Sequence, residues 1–261
     1  MSFPNTVAAE IRKTATLPAT MVALAVAVLG PVAITLINAV GVRAALRSGR
    51  PELTAYTSPV EAVFSAVPIG TVGAVVLGVV AVSAEYTANR ANIGGGRQIT
   101  TTLTATPGRL GVLAGKAIAV SLLVAVAALV AIPASLALAD KIIGGYAPPT
   151  PDGVLSRSVG AGIYWMLTAL TALAVTVFTR NGIAPIIVLV VNSSLVSVSV
   201  LLSHLTPLAR FLPDLAGMSM FAGDLLAFDE ALAPLPGGLV MATWTAGLLV
   251  LAGAVFRWRD A

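Results

Sequence analysis

Few side chains in this sequence could do chemistry. Lys116 is the penultimate residue of the stretch LGVLAGKA at 110–117, the nearest approach to the phosphate-cradling pattern G-x-x-x-x-G-K-[ST]. Leu110 stands where that pattern needs glycine, and Ala117 replaces the hydroxyl that would hold Mg, so Lys116 reads instead as a residue snorkelling from the inner end of a membrane span. Gly94, Gly95, Gly96 and Arg97 follow no strand, which argues against a dinucleotide loop. His204 is the single histidine; Asp214 follows ten residues later across two candidate turns, a spacing that suits an interfacial hydrogen-bonding residue better than a base. Serines crowd 193–203, yet no Lys or His shares their depth to activate one as a nucleophile. With no cysteine, disulfides and thiolate metal sites are excluded. The expectation is therefore a protein that is no enzyme by itself and binds no cofactor or metal directly.

The elements that position these residues are set by composition. The 261 residues are 57% hydrophobic and 10% charged, with a formal charge of +4. Soluble domains carry about 25% charged residues, and a soluble chain this apolar would expose large sticky patches. A bilayer is the simpler solvent. The charges are not gathered into a basic domain, so nucleic acid is not an expected partner.

Six apolar runs reach the length of about 20 residues that spans a hydrocarbon core. They lie at 17–42, 60–84, 111–139, 159–179, 183–203 and 239–256. Runs such as VSLLVAVAALVAI do not alternate, which disfavours a β-barrel. The expected fold is an all-α membrane protein with a single six-helix transmembrane domain at 17–261. Six crossings put both termini on one side. With the N-terminus inside, the inner segments hold nine basic residues and the outer segments six, which places both termini in the cytoplasm.

Residues 1–16 read as an amphipathic interfacial helix: Phe3, Val7 and Ile11 share a face, while Glu10 and Lys13 fall elsewhere. Pro18 opens the first span. TRNGIAP makes a tight inner turn between spans four and five. The segment 204–238 is too broken by proline and charge to span and too apolar to be a plain loop. Short helices that enter the outer leaflet and return, buried against protein, fit it. Polar residues inside spans are Asn38 and a cluster in span five, where Asn192 and Ser199 share one face and Ser193 and Ser197 another. They serve either as glue between helices or as the lining of a path or dimer seam.

The stretch AEYTANRANIGGGRQITTTLTATPGR, 84–109, is the polar exception. Span two is expected to run on past Glu85 to about residue 91, where the glycines break it. A short helix then carries Ile99 and Leu103 four apart on one face, and TPGR leads into span three. The result is a cytoplasmic hairpin whose tip offers two apolar knobs, flanked by threonines and Arg97, to a groove on a partner.

Glu85–Tyr86 at the end of span two, TTLTATPGRLGVLAGK at 101–116, the N-terminal helix, the broken outer segment and the closing FRWRDA together make the chain resemble the permease subunit of type-2 (ABC-2-type, type V exporter-like) ABC transporters. The resemblance implies a bacterial plasma-membrane protein that pairs with a second permease subunit, identical or not, and engages a separate ATP-binding subunit carrying the ATP and Mg. It implies docking on that subunit through Glu10, Arg12, Arg97, Ile99, Leu103 and Thr104. On this reading Glu85 holds the hairpin by pairing with Arg90 or Arg109. The cargo would be an amphipathic drug-like, antibiotic or lipid-like molecule moving outward. A membrane scaffold or assembly factor without transport is the alternative, and an ion-coupled carrier a weaker one, because the span centres hold no ionisable group.

Overall fold

The computed structural model describes residues 3–50, 58–86, 99, 102, 108–146, 153–192, 198–225 and 231–258. Among these residues there is no strand. The helices are α1 Phe3–Thr16, α2 Pro18–Arg47, α3 Pro59–Phe64, α4 Val67–Tyr86, α5 Arg109–Ile143, α6 Val154–Thr179, α7 Ile183–Asn192, α8 Val198–Ser203, α9 Pro213–Met218 and α10 Pro234–Trp258. Pro18 stands in the first turn of α2, where its missing N–H costs nothing. The turn from α6 to α7 closes on Arg180 in the left-handed region (φ 51°), with the Asn181 side chain accepting from the Ile183 N–H at 2.8 Å.

Five helical stretches are long and apolar enough to cross a membrane: Pro18–Arg47, Pro59–Tyr86, Arg109–Tyr146, Val154–Thr179 and Pro234–Trp258. The chain thus has the character of a multi-pass helical membrane protein. The run expected as span five is represented by two shorter helices, α7 and α8, and residues 193–197 lie outside the described set. Several helices outrun their apolar core. α5 covers 35 residues and carries Lys116 near one end and Lys141 near the other.

α4 is the central helix. In its apolar stretch 67% of residues are buried, against 28% for α2 and for α10. Its glycines explain how two neighbours reach it. A Cβ at Gly73 would sit 2.4 Å from the Ala23 carbonyl oxygen on α2, and one at Gly78 would sit 2.1 Å from that of Ala169 on α6. Lipid gives no hydrophobic drive for helix association, so close backbone approach through small residues supplies the packing. Trp165 fills the notch left by Gly70, and its indole N–H donates to the Val67 carbonyl at 3.1 Å. Thr171 and Thr245 join α6 to α10 at 3.1 Å.

The segment after α8 is built of short helical pieces. A 3-10 turn at Pro207–Phe211, then α9, then a 3-10 turn at Gly223–Leu225 replace a continuous span. From Asp214 to Ala222 every residue is buried. Gly217 lies against Tyr164 and Met241, and Gly237 against Ser219, so this stretch packs between α6 and α10.

Candidate functional site

At the end of the bundle where α1 lies, four ionisable side chains from distant parts of the sequence meet. Lys116 Nζ donates to Glu10 Oε2 at 2.7 Å and to Glu85 Oε1 at 2.6 Å. Lys13 Nζ also donates to Glu85 Oε1, and to the Thr102 hydroxyl at 3.2 Å, and stands 4.0 Å from Glu10 Oε1. Glu10, Glu85 and Lys116 are each no more than 3% exposed.

Local structure explains the convergence. One turn of α1 puts Glu10 and Lys13 on neighbouring positions. α1 crosses α5 at Gly115, where a Cβ would already touch Thr6 Cγ2 at 3.4 Å and Glu10 Cγ at 3.5 Å. The next residue, Lys116, is thereby carried against Glu10. Glu85 occupies the last turn of α4, where the helix dipole disfavours an anion, and two ammonium groups offset that. Two carboxylates balance two ammoniums, so the buried cluster is neutral as a set. Removing one member would leave a buried charge uncompensated.

Two further contacts tie this end together. Arg109 Nη1 donates to the Phe256 carbonyl at 3.2 Å, linking the start of α5 to the end of α10. The Arg180 guanidinium lies over the Tyr86 ring at 5.4 Å, linking the α6–α7 turn to α4.

These positions correct several expectations. Glu85 pairs with Lys116 and Lys13 rather than with Arg109, and Arg90 lies outside the described residues. Lys116 does not snorkel; it is 3% exposed because two carboxylates hold it inward. Glu10 is buried against α5 and unavailable to a docking partner, whereas Arg12 is exposed. Ile99 is 1% exposed and belongs to the same apolar core as Val82 and Leu113, so it anchors its segment to the bundle instead of presenting a knob. Arg97, Leu103 and Thr104 lie outside the described residues. On α1 the buried face is Thr6, Glu10 and Thr14; Phe3 is 49% exposed. That polar face meets protein, while Phe3 points outward and Val7 and Ile11 are half-buried.

Asn38 bridges helices. Its Nδ2 donates to the Ala62 carbonyl at 3.2 Å and to Ser65 Oγ at 3.1 Å, at the break between α3 and α4. A backbone carbonyl freed by a helix break needs such a donor in an apolar surround. Ser199 Oγ on α8 donates to Asn192 Oδ1 on α7 at 3.4 Å. Ser193 and Ser197 lie outside the described residues.

Sequence reasoning missed Arg157, at the far end of the bundle. Its Nε donates to the Phe221 carbonyl at 2.7 Å and its Nη2 to the Ala222 carbonyl at 3.1 Å, while its guanidinium lies 4.4 Å from the centre of the Phe64 ring. One cation thus clamps the broken segment to α6 and α3. The available signal was a single arginine in the first turn of a span, facing an apolar segment with no continuous helix to satisfy its carbonyls.

No His, Cys, Asp or Glu group able to hold a metal occurs among the described residues. The charged cluster contains no activated nucleophile and no open coordination position. What it can do is transmit displacement: a push on α1 or on the Thr102 segment is felt by α4 and α5 through buried, short, charge-assisted bonds. No protein-family model matches the sequence, and comparison with curated proteins gives no match.

Proposed function

We propose that the chain is the transmembrane permease subunit of an ATP-driven exporter. It works with a separate ATP-binding subunit and a second permease subunit in the bacterial plasma membrane. In this reading it has six spans, with both termini in the cytoplasm and the broken segment on the outer side. The cargo is an amphipathic drug-like, antibiotic or lipid-like molecule. The chain hydrolyses nothing; ATP and Mg are bound by the partner.

The observation that carries this reading is the buried cluster of Glu10, Lys13, Glu85 and Lys116. It fuses the N-terminal helix to the ends of the two long helices that flank residues 87–108, so any force delivered there reaches both at once. A protein that only scaffolds others has no need for a stiff, desolvated charge joint at the base of two of its long helices. The contact with the ATP-binding subunit falls to exposed Arg12 and to the segment carrying Arg97, Leu103 and Thr104.

The test is affinity purification of the chain from membranes with the protein encoded beside its gene, followed by ATPase assay in lipid. A nucleotide-binding protein should co-purify. A crosslinker placed at Leu103 or Arg12 should reach it, and Arg12→Glu should weaken the complex. Copurification of no ATP-binding protein from an otherwise intact preparation would discard the permease in favour of a non-transporting scaffold.

A further inference from the structure

We propose that the groove between the start of α5 and the end of α10 is a binding site for an anionic phospholipid. The inference needs only the membrane character of the chain and stands apart from the permease reading.

The open groove measures about 610 Å³, within the usual range for a specific ligand site. Buried Leu113 and Gly253 lie at its base, and small Ala114, Ala117 and Ala254 line its floor and rim between the larger Leu110 and Trp258. Arg257 closes one end. From Leu249 to Trp258 the groove follows nine helical rises, about 13 Å, close to half of a ~30 Å hydrocarbon core. An acyl chain lying in it would therefore put its headgroup at the level of Arg257.

That end is built for an anion at the membrane surface. Arg257 is the charged residue that lines the groove and stands at its mouth, while Arg109 is engaged by the Phe256 carbonyl. Trp258 is 84% exposed there, the placement of an indole at headgroup depth. Basic pockets between transmembrane helices select anionic headgroups by this combination. Two other apolar grooves make the contrast. One of about 320 Å³ between α5 and α6, running from Ala125 to Met166, and one of about 560 Å³ beside Phe211 and Trp244 carry no charged lining residue. The α5–α6 groove can hold a chain but has no cation among its lining residues to choose a headgroup, whereas the other has Arg210 over its Phe211 wall.

The experiment uses the purified full chain in phosphatidylcholine nanodiscs. A trace of phosphatidylglycerol or phosphatidylcholine carries a photoreactive group in the acyl chain, and labelled peptides are mapped. The glycerol lipid should label 109–118 and 249–258 about fivefold more than the choline lipid, the factor given by about 1 kcal/mol per basic residue at an anionic surface. Arg257→Gln should bring that ratio near one. Ala254→Phe, at an exposed floor position, should reduce labelling by both lipids, and the α5–α6 groove should take both equally. Equal labelling by the two lipids in the unaltered chain, or selectivity unchanged in Arg257→Gln, would overturn the proposal. Crosslinks to α10 of a second copy in place of lipid would overturn it as well, assigning the groove to a protein neighbour.

Discussion

The two ends of the bundle solve the same problem differently. At the α1 end, opposite charges from α1, α4 and α5 satisfy one another, with separations of 72 to 106 residues between the partners that join α1 to the spans. At the far end, one cation, Arg157, is shared between two backbone carbonyls and an aromatic ring. The first joint has two charges of each sign, so its charges can be reversed as a set. The second cannot be reversed, because a carbonyl cannot be replaced by a cation. The α1 joint is therefore suited to binding separate helices into one moving body. The Arg157 clamp is suited to holding a segment that lacks its own continuous hydrogen-bond ladder.

The largest effect should come from Glu85→Lys, which gathers three ammonium groups around the remaining carboxylate of Glu10. A loss of more than about 3 kcal/mol is expected, read as collapse of folded yield and of thermal stability in detergent. Lys116→Met should cost nearly as much, whereas reversing all four charges together (Glu10→Lys, Lys13→Glu, Glu85→Lys and Lys116→Glu) keeps every opposite-charge contact and should recover much of the yield. A failed reversal would remove the distinction between the ends. Next comes Gly78→Val, which drives side-chain atoms into the Ala169 carbonyl and should cost about 1–3 kcal/mol by separating α4 from α6.

Arg157→Met should cost about 1.5–3 kcal/mol, the worth of hydrogen bonds to a charged group. Its signature is local: faster amide exchange across 207–225 with α1 unaffected. Arg157→Lys should rescue little, since an ammonium cannot reproduce the planar fork that meets two carbonyls. The smallest effect is expected for Asn38→Leu, about 1 kcal/mol, seen as faster exchange at the α3–α4 break.

What could be read from the sequence follows from what is local. Apolar run length located α2, α4, α5, α6 and α10, because in lipid a spanning helix must satisfy its own backbone. Proline and charge likewise fit the short helical pieces described between 207 and 225. Partner choice was not local. Glu85 had arginines nearer in sequence, and the packing of α4 against α5 brings Lys116 to it instead. Periodicity placed Ile99 on an apolar face but could not say that this face turns inward to the core. Arg157 was counted as one more outer charge, because nothing in its neighbours reveals the carbonyls of Phe221 and Ala222, 64 and 65 residues away.

The most direct test of the charge joint is a double-mutant cycle between Glu10 and Lys116, using Glu10→Gln and Lys116→Met, with unfolding free energies measured in a lipid-like medium. A buried pair 2.7 Å apart should give a coupling energy of at least about 1.5 kcal/mol. Costs that add to within about 0.5 kcal/mol would mean the two side chains act independently, and α1 would then not be fused to α5 through them.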